Sequence, residues 1–216
     1  MAGMLADMAK ESLVSLEIFF LTLLFAIPLA LPVAFARMSR CAPLRIFISG
    51  YLLIMRGTPL ILQLIFVFYV PLKIFLALNW DVRYDRFLAV IIAFTLNYAA
   101  YFAEIYRGGI ASIPRGQYEA GKVLGFTKTQ TFFRIVLPQV VKRILPALSN
   151  EVITLVKDTA LASTLAVAEL FHYAKTASSQ KFSTMPIFIA GVFYFVMNWA
   201  VAKAFATAEK KLSYYR

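Results

Sequence analysis

Residues 13–36 read LVSLEIFFLTLLFAIPLALPVAFA, an apolar run interrupted by a single charge, Glu17, and closed by Arg37. A bilayer's hydrocarbon layer is about 30 Å thick and is crossed by about 20 apolar residues in a helix. The stretch is therefore a membrane span. It lacks a basic front and is too long for a signal-peptide core, so it reads as retained. In lipid each backbone N–H and C=O needs a partner within its own segment, which makes the span helical. Four further stretches follow the same logic: Pro59–Leu78, Phe87–Tyr106, Pro138–Ser163 and Met185–Ala206, the Pro138 stretch being the least apolar. The expected fold class is an all-α integral membrane protein of about five transmembrane helices.

Composition agrees. Of 216 residues, 61% are hydrophobic and only 15% charged, where soluble domains carry about 25% charged residues. The net charge of +11 would suggest nucleic acid in a soluble chain. Here the basic residues sit between apolar runs, so they report topology instead, and nucleic-acid binding is not expected. The single cysteine, Cys41, makes no internal disulfide, and with the single histidine, His172, it offers no zinc-binding set.

Lys and Arg are retained on the cytoplasmic side. With the amino terminus outside, fourteen basic residues fall inside: Arg37, Arg40, Arg45, Arg107, Arg115, Lys122, Lys128, Arg134, Lys142, Arg143, Lys203, Lys210, Lys211 and Arg216. Six fall outside: Lys10, Lys73, Arg83, Arg86, Lys175 and Lys181. This favours N-out/C-in, as an odd number of spans requires. Between the first two spans, Leu44–Met55 is short and apolar and ends at Arg56, as a helix along the inner interface or leading into the second span would. Thr58-Pro59 reads as a helix start, with Thr58 as N-cap and Pro59 at the first helical position. Aromatic residues Tyr69, Trp80, Tyr84, Tyr194 and Trp199 are expected as interface anchors. The stripe Ala26, Ala30, Ala34 allows close helix approach. The segment Ala166–Gln180 can form a short outer helix, with His172 structural.

The long inner loop is built as two short helices, Gln117–Leu124 and Thr127–Leu137, with Gly125 supplying the turn between them. Glu119 offers a carboxylate to a partner, and small Ala120 and Gly121 allow close approach. The same loop contains Gly116-x4-Gly121-Lys122, the start of a phosphate-binding loop. Val123 stands where Ser or Thr would reach Mg²⁺, and no strand precedes it, so nucleotide binding by this chain is not expected.

Polar residues within spans mark a pathway or interhelical glue. Asn97, Tyr101 and Glu104 are spaced i, i+4, i+7 and share one helix face; Glu151, Thr154 and Asp158 repeat the geometry at i, i+3, i+7. Carboxylates there suit an α-amino group, and Asn or Thr an α-carboxylate. A second carboxylate complements a side-chain cation. Glu104 serves equally well as glue, paired with Arg107 or Arg56, and Lys157 as a snorkelling or pairing cation.

The loop reads Glu119-Ala120-Gly121-x3-Gly125-x9-Ile135-x-Leu137-Pro138. This resembles the EAA motif of bacterial importer permeases, departing only in having Gly121 where Ala is usual. Arg56-Gly57-Thr58-Pro59 with Gln63, Asn97 through Ile110, and Ser149 to Ile153 with Lys157-Asp158-Thr159 resemble further segments of permeases for polar amino acids. A Glu after Ser-Asn is similar to the histidine, lysine and arginine branch. The resemblance implies the type I ABC importer permease (MetI-like) fold, with residues 1–216 as a single transmembrane permease domain and 107–137 as its cytoplasmic coupling loop. It implies that Tyr118, Glu119, Ala120, Gly121 and Gly125 form a coupling helix and turn seated on an ATPase. It implies as partners two ATP-binding subunits, a second permease (identical or paralogous) and an extracytoplasmic solute-binding protein. The chain then performs no catalysis and holds no cofactor; ATP and Mg²⁺ belong to the partner ATPase. The location is the bacterial cytoplasmic (inner) membrane, multi-pass. Alternatives are a related permease for another small solute, an ion-coupled carrier or channel acting without an ATPase, and a membrane-embedded enzyme, for which Glu104 with Glu151 is the one weak pair.

Overall fold

The computed structural model describes residues 2–80 and 84–212, so Arg83 and Arg216, counted above for sidedness, lie outside the described residues. The elements are α1 (Ala2–Arg37), α2 (Ala42–Gly57), α3 (Leu60–Ala77), α4 (Arg86–Ala111), α5 (Arg115–Val123), α6 (Lys128–Thr131), α7 (Leu137–Asp158), α8 (Leu170–Lys181) and α9 (Met185–Leu212). A π-helical turn, Phe132–Val136, joins α6 to α7, and a 3₁₀ segment, Thr159–Leu165, follows α7.

Among the described residues, α1, α3, α4 and α9 are long and apolar enough to cross a membrane. The expected span at 138–163 is the difference. It is helical over α7, but Lys142, Arg143, Glu151, Lys157 and Asp158 make it amphipathic. Its apolar residues Val140, Ile144, Val152, Leu155 and Val156 are buried, and it packs against both α4 and α9. Charged groups within a membrane protein's helices turn toward a protein interior or an aqueous path.

α4 is the central post. It buries more of its length than the other spanning helices, and α1, α2, α3 and α7 all pack on it. Ala26, Ala30 and Ala34 are each at most 1% exposed in the contact α1 makes within this core, as their spacing predicts. α1 and α9 leave large apolar side chains facing out, among them Phe20, Leu24, Phe188 and Phe195. In a bilayer these meet hydrocarbon at no cost.

The junction between α2 and α3 departs from the expected cap. Thr58 ends α2 and its Oγ1 donates back to the Ile54 carbonyl at 2.8 Å, so it does not cap α3; Pro59 is the N-cap and helix begins at Leu60. Pro59 has no N–H to continue α2 and disfavours helix at Thr58, so the chain is forced extended for two residues. Gln63 spans the break, its Nε2 lying 2.9 Å from the Met55 carbonyl, 3.1 Å from the Thr58 carbonyl and 2.9 Å from Thr58 Oγ1.

In the 107–137 loop Gly125 adopts φ +74°, the left-handed conformation the turn requires. Thr127 and Gln130 form a reciprocal capping box that starts α6. The second short helix expected at 127–137 is not separate, because α6 runs through the π-turn straight into α7. Pro138 explains the turn. Without its N–H the Arg134 carbonyl has no α-helical donor, and the ladder shifts so that Leu137 N–H donates to Phe132 instead.

Candidate functional site

α4 and α7 bring the two predicted polar faces together. A cleft of about 360 Å³ is lined by Asn97, Tyr98 and Tyr101 from α4, Glu151, Thr154 and Asp158 from α7, and Thr58, Pro59 and Leu60 from the α2–α3 break. Five of the six predicted residues therefore line one cavity, but with unequal freedom. Asn97 is 5% exposed and its Nδ2 donates to the Met55 carbonyl and to Gln63 Oε1, both at 3.0 Å. It braces the break more than it faces the cavity. Thr154 Oγ1 donates to the Asn150 carbonyl at 3.0 Å, which leaves its lone pairs available. Among the described residues Glu151 forms no ion pair, and it is half-buried.

Tyr98, which the spacing argument passed over, is 2% exposed, and its hydroxyl donates to Asp158 Oδ2 at 2.7 Å. Its neighbour Asn97 set the i, i+4, i+7 count. The clue in the sequence was a second tyrosine three residues before Tyr101. Thr58-Pro59, expected only as a helix start, also borders the cleft together with Leu60, where the unpaired N–H groups of a helix's first turn favour negative charge.

Glu104 is not in this cleft. Arg107 holds it with a fork, Nε at 3.1 and 3.0 Å and Nη2 at 2.8 Å, while Arg56 and Arg37 approach to 3.8 Å. Its spacing put it on the right face, but one turn beyond Tyr101 that face meets the ends of α1 and α2, each carrying an arginine. Arg56 also lies over the Tyr101 ring, 5.6 Å from its centre, so this ion cluster borders the cleft. Lys157 is exposed on α7.

In the loop expected to couple to an ATPase, Glu119 and Ala120 are exposed, Tyr118 is half-buried against the core, and Gly121 is buried. Val123 and Leu124, which the sequence reading did not single out, are 88% and 67% exposed and give this surface an apolar component. Gly121 is more than a small residue here. A Cβ would sit 2.6 Å from Thr131 Cγ2 and Oγ1, and Thr131 is buried and bonded to the Thr127 carbonyl, so it has little room to yield.

At the opposite end of the bundle, Glu169 is fully buried and caps α8. It accepts from Phe171 N at 2.8 Å, His172 N at 2.7 Å, Ser15 Oγ at 3.1 Å and the Tyr194 hydroxyl at 2.9 Å, knotting α1, α8 and α9. Burial pushes its carboxyl above the ordinary glutamate value, against the pull of these donors. His172 contributes its backbone N–H, a structural role. Tyr194 is an interior donor rather than an interface anchor, because Glu169 recruits its hydroxyl. Among the described residues no group of three or more His, Cys, Asp or Glu is placed to hold a metal.

An apolar helical bundle that encloses an acid-lined cleft on one broken helix and offers a short-helix loop at one end is the membrane part of a solute transporter. The chain belongs to the family of binding-protein-dependent transport system inner membrane components, whose pattern matches residues 26–212. Members are transport subunits rather than enzymes. The chain is 41% identical over 197 residues to the L-cystine transport system permease protein TcyB of Bacillus subtilis (strain 168), covering 90% of this chain and 82% of that one. It is 39% identical to the octopine transport system permease protein OccM of Rhizobium radiobacter, covering 84% and 76%. Among solved structures, a chain of an amino acid ABC transporter with histidines superposes with a TM-score of 0.86 at 30% identity, covering 98% and 96%. An inward-facing MetNI methionine ABC transporter chain shares the fold, with a TM-score of 0.72 at 16% identity.

Proposed function

We propose that this chain is the membrane-spanning subunit of an ATP-driven importer of polar amino acids, with a preference for cationic ones. The observation that carries the reading is the cleft between α4, α7 and the α2–α3 break. An amino acid needs a cationic and an anionic partner at once. Glu151 and Asp158 supply negative charge for the α-amino group and for a side-chain cation. The first turn of α3, with Thr154 and the Tyr101 hydroxyl, receives the α-carboxylate; half-helix starts serve anionic groups this way in transporters built on broken helices. Tyr98 holds Asp158 in place. Relatives whose names carry cystine and octopine, both amino acids, support the class of substrate.

The chain sits in the bacterial cytoplasmic membrane with its amino end outside. Two ATP-binding subunits take the exposed face of α5, and a solute-binding protein delivers cargo from outside. A second permease, identical or paralogous, closes the cleft across a two-fold axis. ATP and Mg²⁺ act on the ATPases, and α5 converts their closure into a change of access.

Uptake into proteoliposomes holding the assembled complex tests this. Labelled arginine, histidine or lysine is expected to accumulate with ATP, and glutamine or cystine less well. Accumulation of cystine or glutamine in preference to all three cations removes the cationic assignment. Loss of every amino acid in favour of another solute removes the substrate class.

A further inference from the structure

The coupling helix and the helix that carries the cleft acids are joined by a side-chain clamp. Gln139 lies on the first turn of α7. Its single Nε2 is 2.9 Å from two acceptors, the Ile135 carbonyl within the π-turn and Gln117 Oε1 on α5. An amide nitrogen has two hydrogens, so both bonds are made together. One turn further, on the same face, Arg143 Nη1 donates to the Ser112 carbonyl and lies 3.1 Å from Ser112 Oγ, at the end of α4. Between them Val140 and Ile144 pack on Gly109, where a Cβ would come within 2.2 Å of Ile144 Cγ2. The strand of chain leading into the coupling helix is thus attached to α7 at 109, 112 and 117. Beyond the attachment the same helix continues through Pro146 to Glu151, Thr154 and Asp158.

We infer that Gln139 is a positioning residue for energy coupling: its amide ties α5 to the π-turn, so that displacement of the coupling helix is delivered to the cleft wall. The π-turn supplies the geometry. Gln139 Nε2 donates to the Ile135 carbonyl one turn back while its second hydrogen reaches across to Gln117. Without the amide, α5 remains covalently attached through 124–127 and still presents Glu119, but its motion is no longer transmitted to α7 at that point.

This inference rests on the importer reading, and two measurements on the assembled complex separate them. The first is uptake per ATP hydrolysed in proteoliposomes. Gln139→Leu and Gln117→Leu are expected to lower that ratio roughly fivefold, the scale of one hydrogen bond, with ATPase association and basal hydrolysis retained. The double variant is expected to be no worse than either single one. Gln117→Glu keeps the acceptor and is expected to keep the ratio. The second measurement is hydrogen exchange across 115–123, which needs no transport: Gln139→Leu is expected to speed exchange there roughly fivefold and leave α4 unchanged. A wild-type uptake ratio in Gln139→Leu, additive losses in the double variant, or unchanged exchange in α5 overturns the clamp. A wild-type complex without ATP-dependent uptake overturns the importer reading instead, and the exchange result then decides the clamp alone.

Discussion

Single residues divide by what their neighbours leave them to do. Asp158 and Glu104 are both acids within helices of the bundle, yet one has a tyrosine hydroxyl and a cavity while the other has three guanidinium groups. Asp158→Asn keeps the bond from Tyr98 and removes the charge, so half-maximal uptake of a cationic substrate is expected to need about tenfold more solute, ~1.4 kcal/mol, with assembly unchanged; normal uptake removes Asp158 from the site. Glu119→Lys reverses an exposed charge on α5 and is expected to abolish ATPase association or its stimulation while the chain still inserts, read by co-purification. Glu169 predicts a pH effect. Its folded pKa is raised, so its contribution to stability is fully present below the ordinary glutamate value of about 4.3 and is lost as pH rises through the folded value. Thermal unfolding in detergent is expected to show this decline, and Glu169→Gln to flatten it. Spacing along the sequence made Tyr101, Glu151, Thr154 and Asp158 legible, because a helix face is a local property. The links that Tyr98 and Glu169 make to other helices were not legible, since those partners lie 60 and 25 or more residues away.

Elements whose boundaries are set by local chemistry were readable in advance. Gly125, the apolar runs and the turn-forming residues of the loop placed α3, α4, α5 and α9 close to where they stand. The α2–α3 break and the π-turn each sit at a proline, Pro59 and Pro138, whose missing N–H leaves the Met55 and Arg134 carbonyls without an α-helical donor. The prolines are visible in the sequence; that Gln63 takes up the Met55 carbonyl and that the Leu137 N–H shifts to Phe132 is not. The Gly121–Thr131 contact is likewise tertiary. Gly121→Ala places a methyl in a filled space and is expected to destabilise the docking of α5 by about 1–3 kcal/mol, seen as faster exchange in α5. Thr131→Ala in the same chain is expected to recover much of it, whereas a harmless Gly121→Ala would mean that the loop relaxes freely.

At the scale of the whole molecule, the bundle makes sense as part of a larger assembly. α2 and α3 expose Phe47, Leu53, Leu62 and Phe66, and the cleft they border is open on one side. On the proposed function, lipid and a second permease would share that surface. Hydropathy found the lipid-facing helices well. It ranked α7 last because the helix nearest a polar path carries the most charge, and that same charge pattern pointed to the site. The distribution of basic residues argues for an inner position of this loop, so reagents applied from outside are expected to miss cysteines placed at Lys122 and Lys128; labelling there would invert the topology. The central claim is that motion of an ATP-driven partner, gripping α5, opens and closes the acid-lined cleft. The most direct measurement is arginine uptake by vesicles holding the full complex, compared with vesicles holding this chain alone. Uptake is predicted only in the complex and only with ATP at the ATPase side; arginine movement through the purified chain without ATP would contradict the account.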